Sequence, residues 1–179
     1  MKRAKKTERR INFLEDLTNI MREHEYLGNE ENRRGIGENA IQRAVFSRLN
    51  KSLPDIIEKH FYLNRKKAQD MVQKGFAYES KKKVSVHGFP FFATNHRPDA
   101  ILDINDLRIG FEIKKGKSGL AIRSGIGQSI VYSSQFDFCV YFFVDTTPGS
   151  DIKNSISSDK ESKLMESLWE FHNIKFFVV

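Results

Sequence analysis

The 179-residue chain has a single cysteine, Cys139. One cysteine excludes a disulfide within the chain and favours a reducing compartment, so we expect a cytoplasmic protein. Cys139 stands inside the apolar run Phe-Asp-Phe-Cys-Val-Tyr-Phe-Phe-Val. We therefore interpret it as a buried structural thiol rather than as a nucleophile.

The sequence also lacks any apolar run of transmembrane length, and we expect no membrane partner. Its basic start leads into an amphipathic segment, which is not the pattern of a signal peptide. Zinc-ligand spacing, internal repeats and a glycine-rich phosphate loop are absent from the sequence. The chemistry must therefore come from another kind of motif.

Acidic residues are the minority charge, with 23 Asp and Glu against 30 Lys and Arg and a net charge of +7. A basic surface favours a polyanionic partner, because it steers the anion toward the protein and releases counterions. Many basic proteins bind no nucleic acid, so charge alone does not identify the partner.

Periodicity predicts one α/β domain with a mixed sheet covered by helices on both faces. We divide it into an N-terminal helical extension (1–35), a core (36–145) and a C-terminal helix and strand (159–179). The predicted helices are at 8–27, 37–50, 64–74, 120–135 and 160–172, with a short helix after Pro54 and a loop at 28–35. An extended segment is predicted at 76–87, followed by a break at Gly88-Phe89-Pro90, a hairpin at 97–115, and strands at 138–145 and 174–179.

The central hairpin is the most informative segment, because its sequence predicts its register. Asn105-Asp106 suits a two-residue turn, since both residue types tolerate left-handed backbone angles. With that turn, Asp103 faces Arg108 and Asp99 faces Glu112. One face is then wholly apolar, formed by Ala100, Leu102, Ile104, Leu107, Ile109, Phe111 and Ile113.

The opposite face places Asp99 against Glu112, with Lys114 two residues farther along the strand. Directly opposed residues have β-carbons about 5 Å apart, and like charges there destabilise the pair. A proton or a cation between the carboxylates removes the repulsion, and Mg²⁺ prefers such oxygen ligands. A cation beside a lysine in a basic protein indicates phosphodiester hydrolysis. The alternative is an amphipathic hairpin whose outer charges are simply solvated.

Pro98-Asp99, followed after twelve residues by Glu112-Ile113-Lys114, resembles the signature of the PD-(D/E)XK nucleases. The resemblance spans residues 36–145 and implies a restriction-endonuclease-like αβββαβ core. It also implies that Asp99, Glu112 and the backbone carbonyl of Ile113 bind a catalytic Mg²⁺, with Mn²⁺ as a substitute. Lys114 would then orient or activate the attacking water, or stabilise charge on the phosphate.

Two further charged residues have alternative interpretations. By the same resemblance, Glu38 at the start of a helix supplies a third acidic ligand; otherwise it only complements the helix dipole. Strand alternation places Lys114 toward the site and Lys115 away from it. Alternation often fails at a strand end, so Lys115 is a candidate phosphate contact.

The helix after the hairpin carries Gln128 and Tyr132, four residues apart, which resembles the QxxxY element of one branch of the family. Both side chains can bind phosphates or bases, and tyrosine can stack. The alternative is an amphipathic helix with a polar edge. Arg97 and Arg123 are further candidate DNA contacts, and so are the basic stretches Lys2–Arg10, 65–67 and 81–83.

These observations predict a Mg²⁺-dependent deoxyribonuclease. Residues 1–35 and 51–85 have no counterpart that we can identify in the family, and as a recognition module they favour an endonuclease of restriction or structure-specific type. Gln128 and Tyr132 tilt instead toward an exonuclease-like end-processing enzyme, and a non-cleaving DNA-binding subunit is a third alternative. A homodimer would supply the two sites that double-strand cleavage requires, although no sequence feature shows one.

Overall fold

The computed structural model describes residues 7–23, 27, 30–79 and 86–179, with side chains in the second helix described from Arg33 onward. The predicted mixed α/β architecture is confirmed: a five-stranded mixed sheet is packed between helices. The helices are α1 Glu8–Arg22, α2 Glu30–Gly35, α3 Glu38–Phe61, α4 Arg65–Gly75, α5 Gly119–Ser133, α6 Asp151–Ser155 and α7 Asp159–His172. The strands are β1 Phe76–Tyr78, β2 Phe89–Phe91, β3 Thr94–His96, β4 Ala100–Ile104, β5 Leu107–Gly116, β6 Phe138–Asp145 and β7 Ile174–Val178.

The main sheet has the order β1-β4-β5-β6-β7. β4 is antiparallel to both β1 and β5, whereas β6 is parallel to β5 and to β7. The parallel strands require crossover connections, and α5 and α7 supply them. β6 is buried along its whole length, as predicted for an apolar interior strand.

The predicted hairpin register is confirmed. Ile104 pairs with Leu107, Leu102 with Ile109, and Ala100 with Phe111. Asn105 adopts a φ of 50° in the turn, as its residue type allows. The apolar face is completely buried, and the predicted Asp103–Arg108 ion pair has an N···O distance of 3.1 Å.

Each face of the sheet buries a separate apolar cluster. Helices α1, α3 and α4 cover the face that carries Leu102, Phe111 and Val140. Helix α5 covers the opposite face, where Tyr132 and Phe136 pack near Tyr141 and Phe143. Glu112 and Lys114 belong to this second face, so β5 presents them toward α5.

Helix α3 corrects the prediction of a helix ending near Asn50. It continues through Pro54 to Phe61, although proline removes one backbone hydrogen bond. Leu53, Pro54 and Ile57 are all buried. We infer that this packing outweighs the local cost of the proline.

Two predicted irregular segments also contain regular structure. The predicted loop at 28–35 includes helix α2. The predicted break at Gly88-Phe89-Pro90 instead enters β2, which forms a separate two-stranded hairpin with β3. Within the described ranges, no helix combines the length and apolar character needed to cross a membrane.

Candidate active site

Asp99 and Glu112 meet where β4 begins. The Asp99 amide donates to the Phe111 carbonyl over 2.9 Å, which extends the ladder by one residue. The Ile113 amide donates to Asp99 Oδ2 over 2.7 Å. Because the N–H and C=O of a strand residue point to the same side, the Ile113 carbonyl also lies on the Asp99 side of β5. The backbone therefore brings together the three groups that the sequence predicted as metal ligands.

Glu112 is the buried member of the pair, with an exposed fraction of 2%. Lys114 Nζ lies 2.9 Å from Glu112 Oε1 and forms an ion pair with it. A carboxylate oxygen has more than one lone pair, so this buried group can also accept a metal cation.

Burial raises the pKa values of both carboxyl groups. The pKa of Asp99 rises to about 6, mainly through burial, although the Ile113 amide and Lys114 act to lower it. The pKa of Glu112 rises to about 7 through burial and the charge of Asp99, against the opposing effect of Lys114. One lysine thus does not fully compensate the pair, and a bound cation would lower both pKa values.

Glu38 adds a third carboxylate at the first turn of α3. Its Oε2 accepts from the Lys115 amide over 3.0 Å, which ties the start of α3 to the end of β5. Its Oε1 lies 3.7 Å from Lys114 Nζ. Lys114 therefore contacts both Glu38 and Glu112. Within the described residues, no three acidic, histidine or cysteine side chains converge as a ready metal-binding group.

The alternation argument for the two lysines agrees with the structure. Lys114 faces the carboxylates, whereas Lys115 donates from Nζ to the carbonyls of Arg34 over 2.7 Å and Ile36 over 2.5 Å. Lys115 thus holds the connection between α2 and α3. Its proposed contact with DNA stays a prediction, and in this arrangement its ammonium is engaged by the protein.

Helix α5 brings Tyr132 against the carboxylates. The Tyr132 hydroxyl donates to the Arg97 carbonyl over 3.0 Å. Burial and the Glu112 charge raise the pKa of Tyr132, so the hydroxyl keeps its proton. Gln128 lies one turn earlier, and its side-chain oxygen is buried without a partner among the described residues. Tyr132 therefore lies beside the carboxylates, whereas the contact of Gln128 with a substrate stays a prediction.

Both predicted arginines are exposed. Arg97 immediately precedes Pro98-Asp99, and its guanidinium pairs with exposed Glu79 over 2.7 Å. Arg123 is exposed on the first half of α5. Of the basic stretches, Arg65 pairs with Asp55 and Glu58, whereas residues 1–6 and 81–83 lie outside the described ranges.

A basic cavity beside Glu38 was not predicted from the sequence. It has a volume of about 420 Å³ and is lined by Arg34, Glu38, Lys115, Gly116, Lys117 and Thr146. Arg34 comes from α2, which was predicted as a loop, so no sequence pattern placed it near β5. Lys117 follows the Lys114-Lys115 pair closely and was the one signal available in the sequence.

Comparison with known proteins identified no relative: no family model, no curated protein and no solved structure matches this chain.

Proposed function

We propose that the protein is a Mg²⁺-dependent DNA nuclease of the PD-(D/E)XK type, which hydrolyses phosphodiester bonds. The observation that carries the proposal is the juxtaposition of three groups: the buried Glu112 carboxylate, Asp99 bound to the Ile113 amide, and Lys114 at 2.9 Å from Glu112. The order α3-β1-β4-β5-α5-β6 supports it, because it follows the αβββαβ order expected from the resemblance once α4 and the separate β2–β3 hairpin are treated as insertions. The net charge of +7 supports a polyanionic substrate.

The donor set fits a hard divalent cation, since Asp99, Glu112 and the Ile113 carbonyl offer oxygen ligands next to each other. Glu38 would be the third acidic ligand, because its carboxylate contacts Lys114 beside the pair. A bound Mg²⁺ would polarise the phosphate and acidify a coordinated water. Asp99 and Glu112 would be ionised in that state, which relieves the cost of burying them.

Lys114 would act as a protonated group. Burial lowers the pKa of Lys114, but Glu112 and Glu38 raise it further, so the pKa lies above its ordinary value. A lysine that keeps its proton cannot accept one from water at neutral pH. Its role would be to stabilise negative charge that develops on the phosphate during in-line attack. The resemblance implies products with 5′-phosphate and 3′-hydroxyl ends.

We expect Mg²⁺- or Mn²⁺-dependent cleavage of DNA, tested on labelled linear, circular and four-way-junction substrates. Lys114→Ala should lower kcat by about a hundredfold or more, because charge stabilisation in the transition state is lost. Lys163→Ala removes the same charge from an exposed position on α7 and should change kcat less than threefold. Circular or junction cutting would indicate an endonuclease, and cutting confined to linear DNA an exonuclease.

Two results would contradict the proposal. Equal losses in the two lysine variants would show that Lys114 acts only through general charge. Tight DNA binding by the wild-type protein without metal-dependent cleavage of any substrate would favour the non-cleaving DNA-binding subunit. Sedimentation of the protein on a two-ended substrate would show whether a homodimer assembles.

A further inference from the structure

The β2–β3 hairpin projects an aromatic side chain into solvent. Its two strands pair Phe89 with His96 at the base and Phe91 with Thr94 next to the tip. Phe92 and Ala93 form the turn, and Phe92 has an exposed fraction of 86%. The ring of Phe91 packs edge-on against that of Phe92, with 4.5 Å between centroids. Because Phe91 packs against it, the exposed Phe92 ring presents an ordered apolar surface.

The tip has a sequence that local backbone preference does not explain. Phe92 and Ala93 have φ values of 49° and 58°, in the left-handed region. Two-residue hairpin turns with positive φ at both positions favour Asn-Gly, because these residues adopt such angles at low cost. Strained residues that persist in a structure are a reason to look for function. Here the strained residue is also the exposed one.

The base of the hairpin is anchored to the candidate active site. Phe89 contacts the rings of Tyr132 and Phe136, with centroid distances of 6.0 Å and 6.3 Å. Inside the hairpin, Thr94 Oγ1 donates to the Phe91 carbonyl over 2.8 Å and lies 2.9 Å from His96 Nε2. These contacts explain His96 as a structural residue and fix the hairpin relative to Tyr132.

The tip lies within reach of the same DNA molecule as the carboxylates. Three strand residues at about 3.4 Å each place Phe92 about 10 Å beyond the hairpin base. Only Arg97 and Pro98 separate β3 from Asp99. The tip would thus stand a few base steps from a phosphate bound at Asp99, since the rise in duplex DNA is about 3.4 Å per step.

The charge of this segment is compatible with a polyanion. Residues 86–98 contain no aspartate or glutamate, so no carboxylate of the segment itself repels a phosphate; its one strong base, Arg97, pairs with exposed Glu79. An exposed apolar ring on a segment without acidic residues suits a nucleic acid base better than a basic protein surface. Aromatic side chains stack on unpaired bases, whereas bases inside a continuous duplex are already stacked.

We propose that the β2–β3 hairpin recognises DNA at a boundary between double-stranded and single-stranded segments, with Phe92 stacked on the first unpaired base. This inference rests on the proposed nuclease function and specifies its substrate class as forked, flapped or frayed DNA. The hairpin then positions the boundary, and the carboxylates of Asp99 and Glu112 lie a few steps away along the backbone.

The test compares binding of a forked DNA and a blunt duplex of matched sequence, measured by fluorescence anisotropy in EDTA so that no cleavage occurs. Phe92→Ala should weaken fork binding by about tenfold and duplex binding by less than twofold. Phe92→Trp should retain fork preference, and the added indole emission should be quenched by the fork. Tyr62→Ala is the matched control, because Tyr62 is also an exposed aromatic residue, with an exposed fraction of 91%. It lies at the C-terminal end of α3, whereas Glu38 lies at the N-terminal end.

A double variant separates folding from recognition. Phe92→Asn with Ala93→Gly supplies the preferred turn residues and should raise Tm, yet it should lose fork preference as Phe92→Ala does. Equal affinities of the wild type and Phe92→Ala for the fork would overturn the proposal. Unchanged DNA binding with loss of self-association would overturn it in favour of a protein interface.

The same experiments separate this inference from the proposed function. Fork-specific loss in Phe92→Ala, combined with a wild-type protein that cuts no DNA, would overturn the nuclease and leave fork recognition standing. Metal-dependent cutting with no fork preference would overturn fork recognition and leave the nuclease function standing. A wild-type protein that binds neither DNA would overturn both.

Discussion

Asp99→Asn is expected to stabilise the folded protein at pH 8 while it abolishes cleavage. The pKa of Asp99 rises from 3.8 to about 6 on folding, mainly because the carboxyl is buried. Holding it ionised at pH 8 therefore opposes folding. A shift of this size corresponds to about 2–3 kcal/mol, and we expect Tm to rise by about 5–10 °C. Loss of a ligand to the proposed cation should lower kcat by at least about a thousandfold.

The pH dependence has a definite sign. Asp99 and Glu112 both hold a proton in the folded state at pH values where the unfolded chain has released it, with folded pKa values of about 6 and about 7. The favourable contribution of these two carboxyl groups to the free energy of unfolding is therefore fully present below about pH 4. It is lost as the pH rises to about 7. The stability advantage of Asp99→Asn should vanish at pH 4 and be complete at pH 8. Thermal unfolding in EDTA across this range measures it.

The control for this experiment is Asp103→Asn on the same strand. Asp103 is exposed and pairs with Arg108, so its replacement should not raise Tm. Mg²⁺ should raise the Tm of the wild type at pH 8 but not that of Asp99→Asn, because only the ionised pair binds the cation. A destabilised Asp99→Asn at pH 8, or equal Mg²⁺ effects on both proteins, would contradict this account of the site.

The local pattern of the central hairpin was sufficient to predict its register. A two-residue turn at Asn105-Asp106 fixes every pair on both strands, and a shift by one residue would expose the apolar face. The same alternation distinguished Lys114 from Lys115. Where the alternation of side chains along a strand matches the burial of one face, only one pairing register is compatible with the sequence.

Other elements depend on packing between residues that are far apart in the sequence, which no local sequence pattern predicts. Pro54 predicts a helix boundary, yet its ring is buried together with Leu53 and Ile57, and α3 continues. Phe89-Pro90-Phe91 suggests a break, but Phe89 packs on Tyr132 far along the chain. Non-local burial determines both outcomes, and a single sequence does not reveal the partner residues.

In the candidate site, too, one part could be predicted from the sequence and another could not. The pairing of Asp99 with Glu112 follows from strand geometry, and their position against Tyr132 follows from α5 crossing over β5 and β6. The sequence offered Tyr132 only as a four-residue spacing from Gln128. Its bond to the Arg97 carbonyl could not be predicted, because that bond depends on how closely α5 approaches the sheet.

Gly125 controls that approach. A β-carbon at Gly125 would overlap the ring of Tyr141, well inside van der Waals contact. Tyr141 cannot retreat, because it is fully buried and stacked on Phe176 with 4.7 Å between ring centroids. Gly125→Ala must therefore move α5 away from the sheet. We expect a loss of about 3 kcal/mol in the free energy of unfolding, at the upper end of overpacking effects.

Gly127→Ala provides the matched control on the same helix. A β-carbon there meets no atom within 4 Å, so replacement should instead stabilise α5 by about 0.5–1 kcal/mol through helix propensity. Both variants add one methyl group to α5. Denaturant unfolding should show a lower free energy of unfolding for Gly125→Ala and a higher one for Gly127→Ala. Gly125→Ala should also lower kcat, since displacement of α5 carries Tyr132 away from Glu112, whereas Gly127→Ala should retain it. Equal stabilisation by both alanines would show that α5 does not pack on Tyr141 as described, and the position of Tyr132 at the carboxylates would then lose its support.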